Sequence, residues 1–257
     1  MESGLSALDW HQPWYAPWRA VAEPVAARIM AGLPAHEALN AQGGAQAVRF
    51  VSQEVLPEGQ AYERFIFERR ECPTREGLHD FFNGLCWMVF PQAKRQVNRL
   101  QAGQIALHGV GGIRGPVRDA LTVFDENGAL LDAPAPLWDA LVARQWQRLF
   151  VDLRPLWAQA RLVVFGHALL EKLATARKDL TAHVWRSSAP LASLPQADCW
   201  LAAQMTEAAL AAKPFVPLPV LGVPGWWAAN ADPGFYDDAT VFRVAHRPAG
   251  GAACGRT

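Results

Sequence analysis

The sequence predicts a helix-rich α+β fold in a single domain, and three observations carry that expectation. Hydrophobic residues make up 51% and charged residues 19% of the 257 positions, a balance that supports a sizeable core and excludes a disordered chain. Short β-branched or alternating runs, such as 161–165, are bounded by turn residues in the manner of strands. Between them, longer segments carry apolar residues at helical spacing, as Leu137 with Leu141 and Trp138 with Val142.

Residues 1–20 gather Trp10, Trp14, Tyr15 and Trp18 among Pro13 and Pro17. They predict an irregular aromatic arm docked on the body, because that many exposed rings would drive aggregation. Helices are expected over 24–30 and 34–41, each opening on a proline. Residues 47–53 and 61–69 read as strands around Pro57-Glu58-Gly59, the second because Phe65 and Phe67 alternate with charged neighbours. A helix follows over 75–89, with Thr74 as its N-cap, and Pro91 opens another that runs to about residue 101. The glycines of 109–115 form a loop, and 103–115 is a candidate lid over a cleft. Asn127-Gly128 predicts a hairpin between 122–124 and 129–131. Helices are expected over 136–150, 168–176 and 197–213, and a strand over 161–165 leads into Gly166-His167. The proline-rich, apolar segment 214–243 predicts an extended Pro/aromatic wrap over the body. The globular domain is expected to span 1–246, with 247–257 as a frayed tail.

Twenty-four basic and 24 acidic residues cancel, which argues against general nucleic-acid binding. Cys72, Cys86, Cys199 and Cys254 are widely spaced, so neither a zinc ribbon nor a disulfide framework is expected. The opening residues lack a basic and an apolar signal region, and no run approaches the roughly 20 apolar residues of a membrane span. The expectation is a cytoplasmic protein with reduced thiols, no membrane partner and a small-molecule ligand; the sequence sets no oligomeric state.

One segment stands out. At roughly 100° per residue, Arg75, Glu76, His79, Asp80 and Asn83 fall on about 140° of helix surface, and Trp87 continues the stripe. Such a set resembles the wall of a polar cleft more than a solvated face. His79 with Asn83, and His167 with Glu171, are i, i+4 pairs, the spacing that sets two side chains on one face. Converging, they are candidates for a divalent-metal site with His79, His167 and Glu171 as ligands. His79, Asp80 and His167 are candidate catalytic residues. Arg75, Asn83, Trp87, Lys94 and Arg118 are candidate substrate contacts, with Arg114 added to the cations of an anion pocket. Cys86 reads as a core thiol, and Cys72, just upstream of the helix, as the thiol to test for reactivity. The glycine loop lacks the Gly-Lys-Ser/Thr ending of a nucleotide loop, and no Gly-x-Ser-x-Gly elbow is present. Asp125-Glu126 and Asp237-Asp238 read as turn chemistry and not as acidic dyads.

Pro73-Thr74-Arg75, His79-Asp80-Phe81-Phe82-Asn83, Phe90-Pro91 with Lys94 and Asn98, Arg118-Asp119-Ala120-Leu121-Thr122 and Phe124-Asp125-Glu126-Asn127-Gly128 form a spaced pattern. It continues through Gly166-His167-Ala168-Leu169-Leu170-Glu171-Lys172, 218–226 and Phe235-Tyr236-Asp237-Asp238. Over nearly the whole chain this pattern resembles an uncharacterised family of bacterial, mainly proteobacterial, proteins known only as a domain of unknown function. The resemblance implies no activity, cofactor or catalytic residue. Two functions therefore stand side by side. One is a metal-assisted or acid–base hydrolase of a small anionic substrate; the other is a non-catalytic binding or scaffold protein whose polar stripe is a buried hydrogen-bond network.

Overall fold

The computed structural model describes residues 1–43, 47–109 and 115–244. A short helix α1 (Glu2–Ser6) and a 3-10 turn at Pro13–Tyr15 precede α2 (Arg19–Met30) and α3 (Ala35–Asn40). Strand β1 (Arg49–Ser52), helix α4 (Tyr62–Arg69) and strand β2 (Glu71–Thr74) follow, with β1 and β2 pairing in parallel. Then come α5 (Leu78–Val89), α6 (Pro91–His108), α7 (Pro116–Asn127), β3 (Gly128–Asp132) and α8 (Ala135–Val142). The remainder is β4 (Arg161–Val164), α9 (His167–Lys172), β5 (Thr181–Arg186), α10 (Leu194–Gln204), α11 (Glu207–Ala211) and β6 (Val216–Pro219). A four-stranded sheet runs β4-β3-β5-β6; β3 is antiparallel to β4 and parallel to β5, and β6 closes it antiparallel to β5. The helix-rich α+β class expected from sequence is the observed one, with a single hydrophobic cluster running from Leu5 to Phe242.

The aromatic arm docks as expected. Trp14, Tyr15 and Trp18 are buried, Tyr15 stacks on Phe82 of α5, and its hydroxyl donates to the Leu170 carbonyl of α9 at 2.9 Å. The segment after Pro214 lies over the body through β6 and short 3-10 turns, Trp226 meeting Trp14.

Several local expectations change. The helix expected from Pro24 begins at Arg19, and the one expected over 136–150 ends at Val142, with Arg148–Asp152 a separate π-helical turn. Residues 62–69 form a helix because Tyr62, Phe65 and Ile66 share one face, while Phe67 is 49% exposed. The Asn127-Gly128 pair joins helix α7 to strand β3, so no hairpin forms there. Gly128 has an ordinary negative φ; a Cβ would fall 2.3 Å from the Phe124 carbonyl, which is why only glycine fits. Gly103–His108 is the end of α6, and Gly109 stops it at positive φ. The lid expectation otherwise falls on Val110–Arg114, outside the described residues, as do Cys254 and the tail over 247–257. Finally, the 197–213 segment divides into α10 and α11.

Candidate functional site

Helix α5 begins at Leu78 with Gly77 as N-cap, so neither Thr74 nor Arg75 belongs to it. Arg75 reaches the helix instead through Asp80. Its backbone N–H and Nε donate to Asp80 Oδ2 at 2.7 and 3.0 Å, and its Nη2 donates to Oδ1 at 3.0 Å. An acid in the first turn also suits the helix dipole. Both Asp80 oxygens are thereby occupied, and the Arg75 charge is neutralised.

Along the same face, α5 presents His79, Asn83 and Trp87 to a cleft of about 340 Å³. The opposite wall comes from α4 (Tyr62, Glu63), α6 (Lys94, Asn98, Gln101), α7 (Thr122, Asp125, Glu126) and the start of α9 (His167). Five helices therefore converge on one polar hollow. Cys86, on the other side of α5, is buried and donates to the Phe165 carbonyl, as expected of a core thiol.

The two histidines meet. His79 Nε2 lies 3.1 Å from His167 Nε2, the rings nearly perpendicular with centroids 4.6 Å apart. His79 Nδ1 lies 2.9 Å from Glu171 Oε2, and the His79 side chain is 43% exposed. His167 is only 7% exposed, and its Nδ1, 3.8 Å from Asp125 Oδ2, has no hydrogen-bond partner. Burial pushes the His167 pKa down to about 4; Lys94 and His79 add to the fall, and Asp125 opposes it.

Behind the pair, Lys94 is buried and bonds the Asp125 carboxylate and Asn83 Oδ1, the latter at 3.0 Å. Its Nζ also stands 5.5 Å from the Trp87 ring centroid. Burial alone would raise the Asp125 carboxyl; Lys94, then His167 and His79, outweigh it and hold the group below its ordinary value. Asn83 Nδ2 donates to the Tyr62 hydroxyl at 3.1 Å, and that hydroxyl lies 3.2 Å from Cys72 Sγ. Cys72 is buried, and burial raises its thiol to about 12, so it is not the reactive cysteine its position suggested.

The structure thus brings together Arg75, His79, Asp80, Asn83, Trp87, Lys94 and His167, all expected from sequence. Arg118 lies one turn before Thr122 on α7 but does not line the cleft. Arg114 is outside the described residues. The expected metal triad is not assembled. Glu171 contacts His79 on the Nδ1 side, away from the Nε2 that faces His167. Among the described residues no group of three or more His, Cys, Asp or Glu could hold a metal ion. Asp125, Glu126, Tyr62 and Glu63 were missed as cleft residues. The signal for the first two was the i, i+3, i+4 spacing Thr122–Asp125–Glu126, hidden once Asn-Gly was read as a hairpin turn.

Fold and cleft together define a helix-rich α+β protein with a polar, two-histidine cavity of small-molecule size. The chain belongs to the family described as "Protein of unknown function (DUF3025)", whose model matches residues 48–246 and so includes every cleft residue named above. No curated protein and no solved structure matches the chain. Among the described residues, no helix is long and apolar enough to cross a membrane.

Proposed function

We propose that this protein is a hydrolase of a small polar molecule, with His79 as its general base. The contact between the half-exposed His79 and the buried His167 carries the proposal. A carboxylate accepts hydrogen bonds only, so the 2.9 Å contact with Glu171 supports a proton on His79 Nδ1, and in the neutral ring Nε2 then carries the lone pair. That lone pair accepts the Nε2–H of His167 in the resting site. A water that opens this contact meets the His79 lone pair on one side and the neutral His167 N–H donor on the other. His79 takes one water proton as the oxygen attacks the substrate, and later returns it to the leaving group. Glu171 orients the ring and stabilises the imidazolium, the role a carboxylate plays in a catalytic triad. Asn83 and Trp87 form the adjoining wall, Lys94 and Asp125 pair behind His167, and Asp80 fixes Arg75 and takes no proton.

A screen of p-nitrophenyl acetate, p-nitrophenyl phosphate and an amide library with the full chain tests this reading. Any accepted substrate should lose at least 100-fold in rate with His79→Gln, in line with general-base contributions. An accepted substrate hydrolysed equally by that variant would remove His79 from the mechanism.

A second reading has its own support: Asp80, Asn83, Lys94 and Tyr62 each end on an internal partner, as in a structural network. No turnover, together with a large loss of melting temperature in His79→Gln, would favour that scaffold role.

A further inference from the structure

We infer that the ligand of this cleft is a small organic cation bearing an ammonium or guanidinium group. The inference takes from the proposed function that the cleft is the functional site and that the His167 proton sits on Nε2; it departs from the anionic substrate expected on sequence. The described residues lining the cleft include two fixed cations, Arg75 and Lys94, against four carboxylates, Glu63, Asp80, Asp125 and Glu126. The cations are both spent internally, Arg75 on Asp80 through two guanidinium nitrogens and Lys94 on Asp125. Glu63 and Glu126 are half-buried, and neither carboxylate makes a hydrogen bond or ion pair among the described residues. Among the described residues, two half-buried negative charges are left without a counter-charge, which a cation would supply.

The second observation is independent of the carboxylates. His167 lines the cleft, is more than nine-tenths buried, and keeps an unpartnered Nδ1 turned toward Asp125. With the His167 proton committed to Nε2, this nitrogen is one more acceptor lacking a donor. Acceptors without donors are what a donor-only ligand matches. The Trp87 ring, already facing one ammonium at 5.5 Å, adds an aromatic surface suited to a cation. A volume of about 340 Å³ lies at the small end of the range for small-molecule pockets, roughly 300–1,000 Å³.

Calorimetry and thermal melts of the full chain, with probes matched in length, decide the sign. The probes are 1,4-diaminobutane, 1,4-butanediol and succinate, with Mg²⁺ and Zn²⁺ as separate arms. The diamine should bind and raise the melting temperature with dose, while the diol and diacid should not. Glu63→Gln and Glu126→Gln should each weaken diamine binding about tenfold, the effect of losing one charged hydrogen bond. Their ligand-free melts, taken alongside, confirm folding. Glu126→Lys, which reverses one charge, should abolish diamine binding. Preferential succinate binding, binding of the metal ions only, no binding of any probe, or unchanged diamine affinity in the Gln variants would each overturn the inference. His79→Gln separates it from the proposed function. Diamine binding kept in this variant, with no hydrolysis lost, sinks the hydrolase reading alone. Hydrolysis lost in it, where wild type does not bind diamine, sinks the cation alone.

Discussion

His79 Nε2 and His167 Nε2 stand 3.1 Å apart, a distance at which one ring nitrogen donates to the other. In the proposed mechanism Glu171 accepts the Nδ1–H of His79, and the proton between the two rings is that of His167. The arrangement leaves His167 Nδ1 bare beside Asp125, which is where the structure shows an unpartnered nitrogen.

Nitrogen-15 spectra at pH 7.5 should therefore show opposite tautomers in the two rings, Nδ1–H in His79 and Nε2–H in His167. The same tautomer in both would break the proton assignment on which the proposed mechanism depends.

The depressed pKa of His167 makes stability depend on pH. Its folded value, about 4, lies below the ordinary 6.5, so the unfolded chain takes up the proton first as the solution is acidified. The stabilisation is fully present above pH 6.5 and lost as pH falls through about 4. Its size is on the order of 3 kcal/mol at most. Urea titrations of wild type and His167→Gln should converge or cross over this window, and parallel curves would show that His167 does not titrate there.

Lys94 and Asp125 form a buried pair, and removing one partner strands the other. Lys94→Met should destabilise the fold by about 3–5 kcal/mol, read from denaturant midpoints. Combining it with Asp125→Leu should recover part of the loss, because no unpaired charge then remains buried. A loss in the double variant equal to the sum of the two singles would indicate that the pair is not coupled.

Gly166 sits where a Cβ would meet the Glu126 carbonyl at 2.4 Å and the Asn127 nitrogen at 2.5 Å. These are backbone atoms and cannot swing aside, so Gly166→Ala must push α9 away from α7 and His167 from Asp125. A destabilisation of about 1–3 kcal/mol is expected, together with exposure of the His167 ring to solvent exchange. An unchanged melting temperature would show that the α7–α9 junction is slack.

Thiol labelling checks the cysteine environments. In a Cys254→Ser background, Cys199, which is exposed, should react with iodoacetamide at native pH. Cys72 and Cys86 should react only on unfolding, since burial raises both thiols. Fast labelling of Cys72 would mean that the Tyr62 side of the cleft is open.

Periodicity alone placed the body of α5, with His79, Asp80, Asn83 and Trp87 of its stripe and its core-facing Cys86, because a helix turns by a constant angle; Arg75 and Glu76 precede the helix. The aromatic arm and the wrap after Pro214 were equally legible from composition, since rings in such number have to be covered. Local patterning failed where two structures suit the same residues. Tyr62–Arg69 satisfies alternation and helical spacing alike, and packing of Tyr62, Phe65 and Ile66 decided for the helix. The Asn-Gly pair had the chemistry of a turn, yet the close approach of Phe124 to Gly128 made it a helix-to-strand junction. Helical spacing was enough to put His79, Asn83 and Trp87 on one face of α5. Only tertiary structure decided which groups lie across from them. It turned Asp125 from a turn residue into the counter-charge of Lys94, set Glu171 behind His79, and left Arg118 off the wall. The reason is physical. The pairing of charges depends on distances between elements about 90 residues apart in the chain, as between His79 and Glu171, and no local rule carries that separation.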